Sequence, residues 1–498
     1  MSFRRLTALP AAAAAVCAVS GLVAAAPAAA SNGRAAGRGA AAPAAARGQV
    51  AAGPGAAAGR AAAHARAFAA PAWPNFDVSA RPGNEAENTI AVNPADPLNV
   101  VAMTCLNGRV NWEGLLLGVS FDGGVTWARR LFATGAAVGH TCDERLAWDR
   151  YGNLWMTHLE ATGPVFVGLS TDGGLRFRKV ADILPPAPFG QHVADRPSVS
   201  VGPHSVWVSY TNVLSEPQAR VEASGARVTG LGRFGAFSKP ESVPARHGHG
   251  DFGGLAVGPR GQVLVIYENI ASQRRSRIYT ALDPDGLGPK GFGRPRLLAR
   301  THVNATFRIP AQPTGITTDA SLAWDTGGGR YHGRVYAVWT QAPLHNNNTN
   351  IMVQHSRDNG NTWTKPVALN DDHTANSQFF PAIAVDQATG DVAASWYDCR
   401  NDRGQGGPGD PDRIPNNDTQ TWATYSTSGG ATFTPNFRVS KGTSSAKDAG
   451  SFFGDYTQAA FQSHLFYPAW TDNSDSTGSN PDGRLHQMDL YTARVPIP

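Results

Sequence analysis

The sequence predicts an all-β chain in which one small hairpin unit is stacked many times, and two recurring patterns predict it. The first is a turn. Ser120-Phe-Asp-Gly-Gly-Val-Thr-Trp127 returns as Ser170-Thr-Asp-Gly-Gly-Leu-Arg-Phe177, as Ser356-Arg-Asp-Asn-Gly-Asn-Thr-Trp363, and in worn form as Ser426-Thr-Ser-Gly-Gly-Ala-Thr-Phe433. A side chain such as Asp122, Asp172 or Asp358 accepts from backbone N–H groups just ahead of it, glycine supplies the positive φ of the turn, and the closing aromatic drops into apolar space.

The second pattern is an apolar strand, a short Gly, Pro or Asn turn, and another strand ending in an aromatic and a polar residue. Its second strands are Asn99–Thr104, Asn153–His158, Ser205–Tyr210, Gln262–Tyr267, Arg334–Trp339, Asp391–Trp396 and His464–Trp470, which makes seven hairpins spaced 52 to 74 residues apart. Matching first strands include Thr89-Ile-Ala-Val, Arg145-Leu-Ala-Trp, Gly254-Leu-Ala-Val, Ser321-Leu-Ala-Trp and Ala382-Ile-Ala-Val. Their unbroken apolar character predicts strands buried on both faces.

The S-x-D-x-G-x-T-W turn resembles the Asp-box of the sialidase superfamily, whose members fold as β-propellers. The resemblance covers residues 75 to 495, and with the hairpin spacing it implies a propeller of seven four-stranded blades. Known sialidases have six blades, so six with an irregular extra hairpin is the alternative. The Asp-boxes then fall at the outer hairpins of blades one, two, five and six. The last unit offers only three strands, and residues 75–80 are expected to close the ring as its missing outer strand.

In such a blade the Asp-box turn lies on one face of the disc, while strand-one starts and strand-two ends share the other. Ser120, Asp122, Trp127, Ser170, Asp172, Ser356, Asp358 and Trp363 are therefore expected to be structural. The opposite rim gathers Asp143-Glu144-Arg145, Asp195-Arg196, His249-Gly-Asp251, Asp319, Gly454-Asp455-Tyr456, Glu160, Asn212, Glu268-Asn269, Gln341, Tyr397-Asp398-Cys399-Arg400 and Thr471-Asp472. Convergent ionisable groups at a pore mouth are where shifted pKa values and small-molecule binding are expected. Cys105 and Cys142 sit on this rim in neighbouring blades and are expected to bond; Cys399 is expected to stay free.

What the resemblance implies for chemistry is an exo-glycosidase on sialic acid or a similar acidic sugar, working by retaining hydrolysis. The substrate carboxylate calls for guanidinium forks and disfavours an anionic nucleophile. Arg145, Arg196 and Arg400 would hold it, with Asp398 and Asp143 beside them. Tyr456 would be the nucleophile, Glu268 would polarise it, and Asp251 or Asp195 would supply the proton. Sialidases open their first blade with Phe/Tyr-Arg-Ile-Pro; here Phe307-Arg308-Ile309-Pro310 lies between blades four and five. The rival reading is a non-catalytic propeller that binds an extracellular glycan or protein through the same rim.

The loop from Asn401-Asp402-Arg403 through Asp410, Asp412, Asn416, Asn417 and Asp418 is rich in oxygen ligands, as are Asp472, Asn473 and Asp475. A structural calcium ion is a candidate at either, against ordinary turn chemistry. No other cofactor is required: the chain has no Cys/His cluster for zinc, no Gly-rich phosphate loop and no Gly-x-Ser-x-Gly elbow.

Residues 1–30, with Arg4, Arg5, an apolar Ala-rich stretch and the ending Ala28-Ala29-Ala30, read as a secretory signal. Residues 31–70 are almost wholly Ala, Gly, Pro and Arg and read as a flexible leader, leaving 75–498 as the folded body. The formal charge of +5 includes seven Arg and no acid in residues 1–70, so the remainder holds 36 basic against 38 acidic residues. That balance argues against a nucleic-acid partner. No apolar run beyond the signal is long enough for a membrane span. The expected product is a secreted, monomeric protein with one disulfide.

Overall fold

The structure, a computed structural model, describes residues 73–107, 112–132, 142–160, 164–184, 194–213, 219–244, 250–269, 276–304, 307–343 and 348–498. Residues 1–70, expected to be a signal and a leader, lie outside the described residues. The rest form a seven-bladed β-propeller of antiparallel sheets with almost no helix. The first strands of the blades are Asn84–Asn93, Cys142–Trp148, Ala194–Val201, Asp251–Val257, Ser321–Trp324, Gln378–Val385 and Ala459–Gln462. Each packs against the first strand of the next blade, and the seventh packs against the first, so seven units close one ring. The six-bladed alternative is excluded.

Closure is made by the N-terminal strand. Asn75–Asp77 pairs with Asp489–Ala493 as the outer strand of blade seven, with Asn75 opposite Ala493 and Asp77 opposite Tyr491. Ser79 continues the seam by donating to Asp489 Oδ1 at 3.2 Å. Asn75 also donates to Val439 O at 3.0 Å, which ties the closing strand to blade six.

Blade stacking explains the apolar run-on of the inner strands. Trp155 of blade two packs with Val199, Val206 and Val208 of blade three, and Tyr336 and Val338 of blade five pack with Ile383 and Trp396 of blade six. A strand clamped between two neighbouring sheets has no solvent face, so it shows no polar alternation. Blade three departs from the simple unit. Its outer edge is broken into Arg233–Phe234 and Glu241–Ser242, both paired with the long third strand Arg220–Gly230.

The four repeated turns share one hydrogen-bond plan. Ser120 Oγ donates to Asp122 Oδ1 at 2.7 Å and accepts from Gly124 N at 2.8 Å, while Asp122 accepts from Thr126 N at 2.9 Å and from Thr126 Oγ1 at 2.6 Å. Ser356–Asp358 repeats it in full with Thr362, and Ser170–Asp172 repeats it without the hydroxyl bond, Arg176 standing at the threonine's place. Trp127 is buried against the seam between blades seven and one, and Trp363 is half-buried. These bonds to the ionised form hold Asp122 below the usual carboxylate range, the Thr126 hydroxyl contributing most. In blade six, Ser428 occupies the acid's place, accepting from Thr432 N at 2.9 Å with its hydroxyl 3.0 Å from that of Thr432. Ser428→Asp is expected to replace these neutral contacts with charge-assisted bonds to Thr432 N and its hydroxyl and raise stability by about 0.5 kcal/mol, read as a higher chemical-denaturation midpoint; a lower midpoint would contradict this account of the turn.

Candidate functional site

At the rim opposite these turns, the chain makes the same unusual move in six blades. Glu87, Asp143, Arg196, Phe252, Asp319 and Phe380 all have φ between 42° and 62°, early in the first strand or, for Asp319, just before it. In blades one, two, three, four and six the pairing register shifts there, as at a β-bulge. None of the six is glycine, so each position carries backbone strain, of the order of 1 kcal/mol. Such bulges re-aim side chains, and here they bring polar groups of different blades together.

Arg196 of blade three shows how far the groups converge. Its Nη2 is 2.7 Å from Asp319 Oδ1 of blade five, and its backbone N–H donates to Asp143 Oδ2 of blade two at 2.9 Å and to Asp195 Oδ1 at 3.0 Å. Tyr456 of blade seven lies under Arg145 of blade two, whose guanidinium carbon is 3.3 Å from the ring centroid; that of Arg196 is 5.3 Å away. Arg145, Arg196 and Asp319 line one part of an axial cavity of about 350 Å3, whose other lining includes Ala91, Ser198 and Leu322 from first strands around the ring.

Carboxyl groups outnumber guanidiniums here. Burial, with Asp143 and Asp455 nearby, raises Glu87 well above the usual range; burial likewise raises Glu144, and burial with Asp143 and Asp251 raises Asp195. Glu268 is pushed up by burial to about 7, although it accepts from Thr318 N at 2.9 Å, and Asp455 is pushed to about 6. Burial also raises Asp319, against the pull of Arg196 and Arg145. Asp251 lies opposite Glu268 and accepts from Phe252 N at 2.8 Å.

These shifts fix a pH dependence. A carboxyl whose folded pKa is raised binds its proton more tightly folded than unfolded, so its stabilisation is complete below the unfolded value of about 4 and is lost as pH climbs through the folded value. The thermal midpoint is expected to fall between about pH 4 and 7, and Glu268→Gln should flatten that fall by an amount on the order of 3 kcal/mol. A midpoint that rises across this window in the wild type would contradict the assignment.

Several buried groups in the cluster are left without partners. The Tyr456 hydroxyl, Arg145 Nη1 and Glu268 Oε2 make no hydrogen bond, and the Glu144 carboxylate has none beyond its own amide. The charges that Tyr456 feels most are Glu144 and Glu87, which with burial push its hydroxyl well above 10. The carboxyl that acts most on the tyrosine is Glu144, whereas Glu268 is engaged with Thr318 and Arg196. The signal for Glu144 was its place between Asp143 and Arg145 in the bulge of blade two.

Other rim candidates lie elsewhere. Arg400 does not join Arg145 and Arg196. It is buried in blade six, where it bonds Asp398 Oδ2 through Nε at 3.0 Å and Nη2 at 2.8 Å, Asp371 at 2.8 Å and Asn436 at 2.9 Å, and lies over Trp422. Asp398 also accepts from Trp396 Nε1 at 2.8 Å, as Asp472 does from Trp470 and Gln341 does from Trp339 at 3.0 Å. These strand-end acceptors turn back onto their own tryptophans. Arg308 holds its own turn through Pro313 O at 3.0 Å, and His249 lies outside the described residues. Cys105 and Cys142 form a disulfide between blades one and two with Cα atoms 5.3 Å apart, and Cys399 is free and buried.

No protein-family model matches the chain, and a search of curated proteins finds no match. Solved structures resemble it as propellers. A protein of unknown function from Dyadobacter fermentans DSM 18053 shares 14% identity over 86% of this chain and 99% of its own, with TM-score 0.45. The Trypanosoma rangeli sialidase in complex with the inhibitor DANA shares 11% over 83% of this chain, TM-score 0.38, and this chain spans only 55% of that one. The GH93 α-L-arabinofuranosidase of Fusarium graminearum with arabinobiose shares 14% over 65% of this chain and 92% of its own, TM-score 0.40. The structural neighbours thus include propeller glycosidases at low identity. Among the described residues no helix is long and apolar enough to cross a membrane.

Proposed function

We propose that the protein is a glycoside hydrolase whose active site is the axial rim, acting outside the cell after export through its signal-like N-terminus. The observation that carries this reading is the set of unpartnered groups from blades two and seven: the Tyr456 hydroxyl, the Glu144 carboxylate and Arg145 Nη1. Buried polar groups without partners cost free energy, and a ligand that supplies the partners accounts for their retention.

Retaining hydrolysis assigns each a role. Tyr456 Oη attacks the anomeric carbon while its proton passes to the ionised form of Glu144, which Arg145 favours against burial, and Asp195, raised by burial, gives its proton to the departing glycosidic oxygen. Water then opens the glycosyl-tyrosine, its proton returning to Asp195, and Glu144 returns the proton to Tyr456. Arg145 Nη1 is the free donor for a substrate carboxylate, so the acidic-sugar form of the reading rests on one guanidinium rather than three. Incubating the purified protein with fluorogenic sialosides, uronides and neutral glycosides tests it: release from one of them supports an enzyme and names the sugar.

A second reading has its own support. Tyr456 is only 1% exposed and Arg196 is ion-paired to Asp319, an arrangement suited to a hub that holds blades together beneath a glycan- or protein-binding rim. Absence of release from every glycoside by folded protein would favour it.

A further inference from the structure

Away from the axis, the connection between the second strand Val392–Asp398 and the third strand Asp418–Ser426 of blade six folds back on itself through a Gly407–Asp410 bridge. It brings the carboxylates of Asp402, Asp410 and Asp418 together, all three buried, with one oxygen of each within 4.8 Å of the others. That is the span across a shell of calcium–oxygen bonds of about 2.4 Å. Asp412 and Asp448 approach Asp418 at the same range, Asp448 from the short helix α1 (Ala446–Ala449) that leads into blade seven.

The partners of these acids separate scaffold from ligand. Asp402 Oδ2 accepts from Asn417 N at 2.6 Å and Asp418 N at 2.8 Å, and Asp410 accepts from Gln405 N, Gly406 N at 2.9 Å and Arg413 N at 2.9 Å. Both are held rigidly by the loop backbone. Asp418 is different: it is 1% exposed, yet neither carboxylate oxygen has a hydrogen-bond partner, and the adjacent Asn417 Oδ1 is likewise buried and unpartnered. A fully buried carboxylate, aimed at two others and bonded to nothing, is among the costliest groups to retain.

We propose that Asp402, Asp410 and Asp418 bind a calcium ion, which fastens this loop to blade six. The donor set is all oxygen, without imidazole or thiolate, which favours a hard cation over zinc or copper. Several carboxylates on a glycine-rich loop suit calcium's irregular shell better than the strict octahedron of magnesium. Without the ion, burial and the charges of Asp402, Asp412, Asp448 and Asp410 push Asp418 up to about 8. The site is independent of any activity at the axial rim.

The test uses the full protein, stripped with EDTA and dialysed, then titrated with calcium chloride or magnesium chloride. Equilibrium dialysis is expected to find one tightly bound calcium per chain. At a hundredfold excess over Kd the thermal midpoint should rise by about 3 °C, with a smaller rise in magnesium. Asp418→Asn should unfold in EDTA no earlier than the wild type, because it removes one acid from a like-charged group, and should lose the calcium shift. No bound calcium in the wild type, or a full calcium shift in Asp418→Asn, would overturn the proposal. Should that variant not fold, the wild-type stoichiometry alone decides.

Discussion

Tyr456→Phe is expected to lower kcat/KM on the responsive glycoside by about a thousandfold or more, while the thermal midpoint stays level or rises. The two halves of this expectation come from the same atom. The hydroxyl is buried without a partner, so folding strips its water and returns no bond; its removal should be neutral or stabilising by about 1 kcal/mol. The ring stays, and with it the stacking of Arg145 at 3.3 Å. A residue that merely packed would show the stability effect without the rate effect. Glu144→Gln separates the roles further: it keeps the side chain's shape but cannot take the phenolic proton, so it should depress kcat more than it raises KM. Wild-type turnover in Tyr456→Phe, within threefold, would remove the tyrosine from the chemistry and assign the hydrolysis to other groups.

The ring was legible because its evidence is repeated. Seven hairpins with one composition, four turns with one bond plan and a three-stranded last unit leave few ways to close the chain, and Asn75–Asp77 lies where that shortage required. The rim was legible only in part, because position at a strand end does not set direction. Side chains alternate along a strand, and one step decides the outcome. Glu268 follows Tyr267 immediately and faces Arg196, whereas Asp398 and Asp472 stand two places after a tryptophan and bond its indole. Arg400, two residues beyond Asp398, inherits that outward direction and becomes part of the packing of blade six. The positive-φ bulges could not be read either. Glycine would have announced them, but the sequence places Glu87, Asp143, Arg196 and Asp319 there. Their strain is sustained by the cross-blade bonds that only the closed ring supplies.

Arg196→Met tests how far the hub depends on those bonds, and it should be the most destabilising substitution at the rim. Arg196 and Asp319 are 6% and 5% exposed, and breaking a buried pair from one side costs about 3–5 kcal/mol because the partner keeps its desolvation penalty. Asp195, Asp455 and Glu268 lose the same cation, since all three interact with it. Each of these acids has a raised folded pKa, and losing Arg196 raises it further. At pH 5 they escape by holding protons and the cost shrinks; at pH 8 they must ionise or bind protons against solvent, and the cost is full. Chemical denaturation at the two pH values should therefore show the deficit growing with pH, and Arg196→Met combined with Asp319→Leu should recover much of it. Equal deficits at pH 5 and pH 8 would mean that the guanidinium acts through packing against Phe252 and Tyr456 rather than through charge.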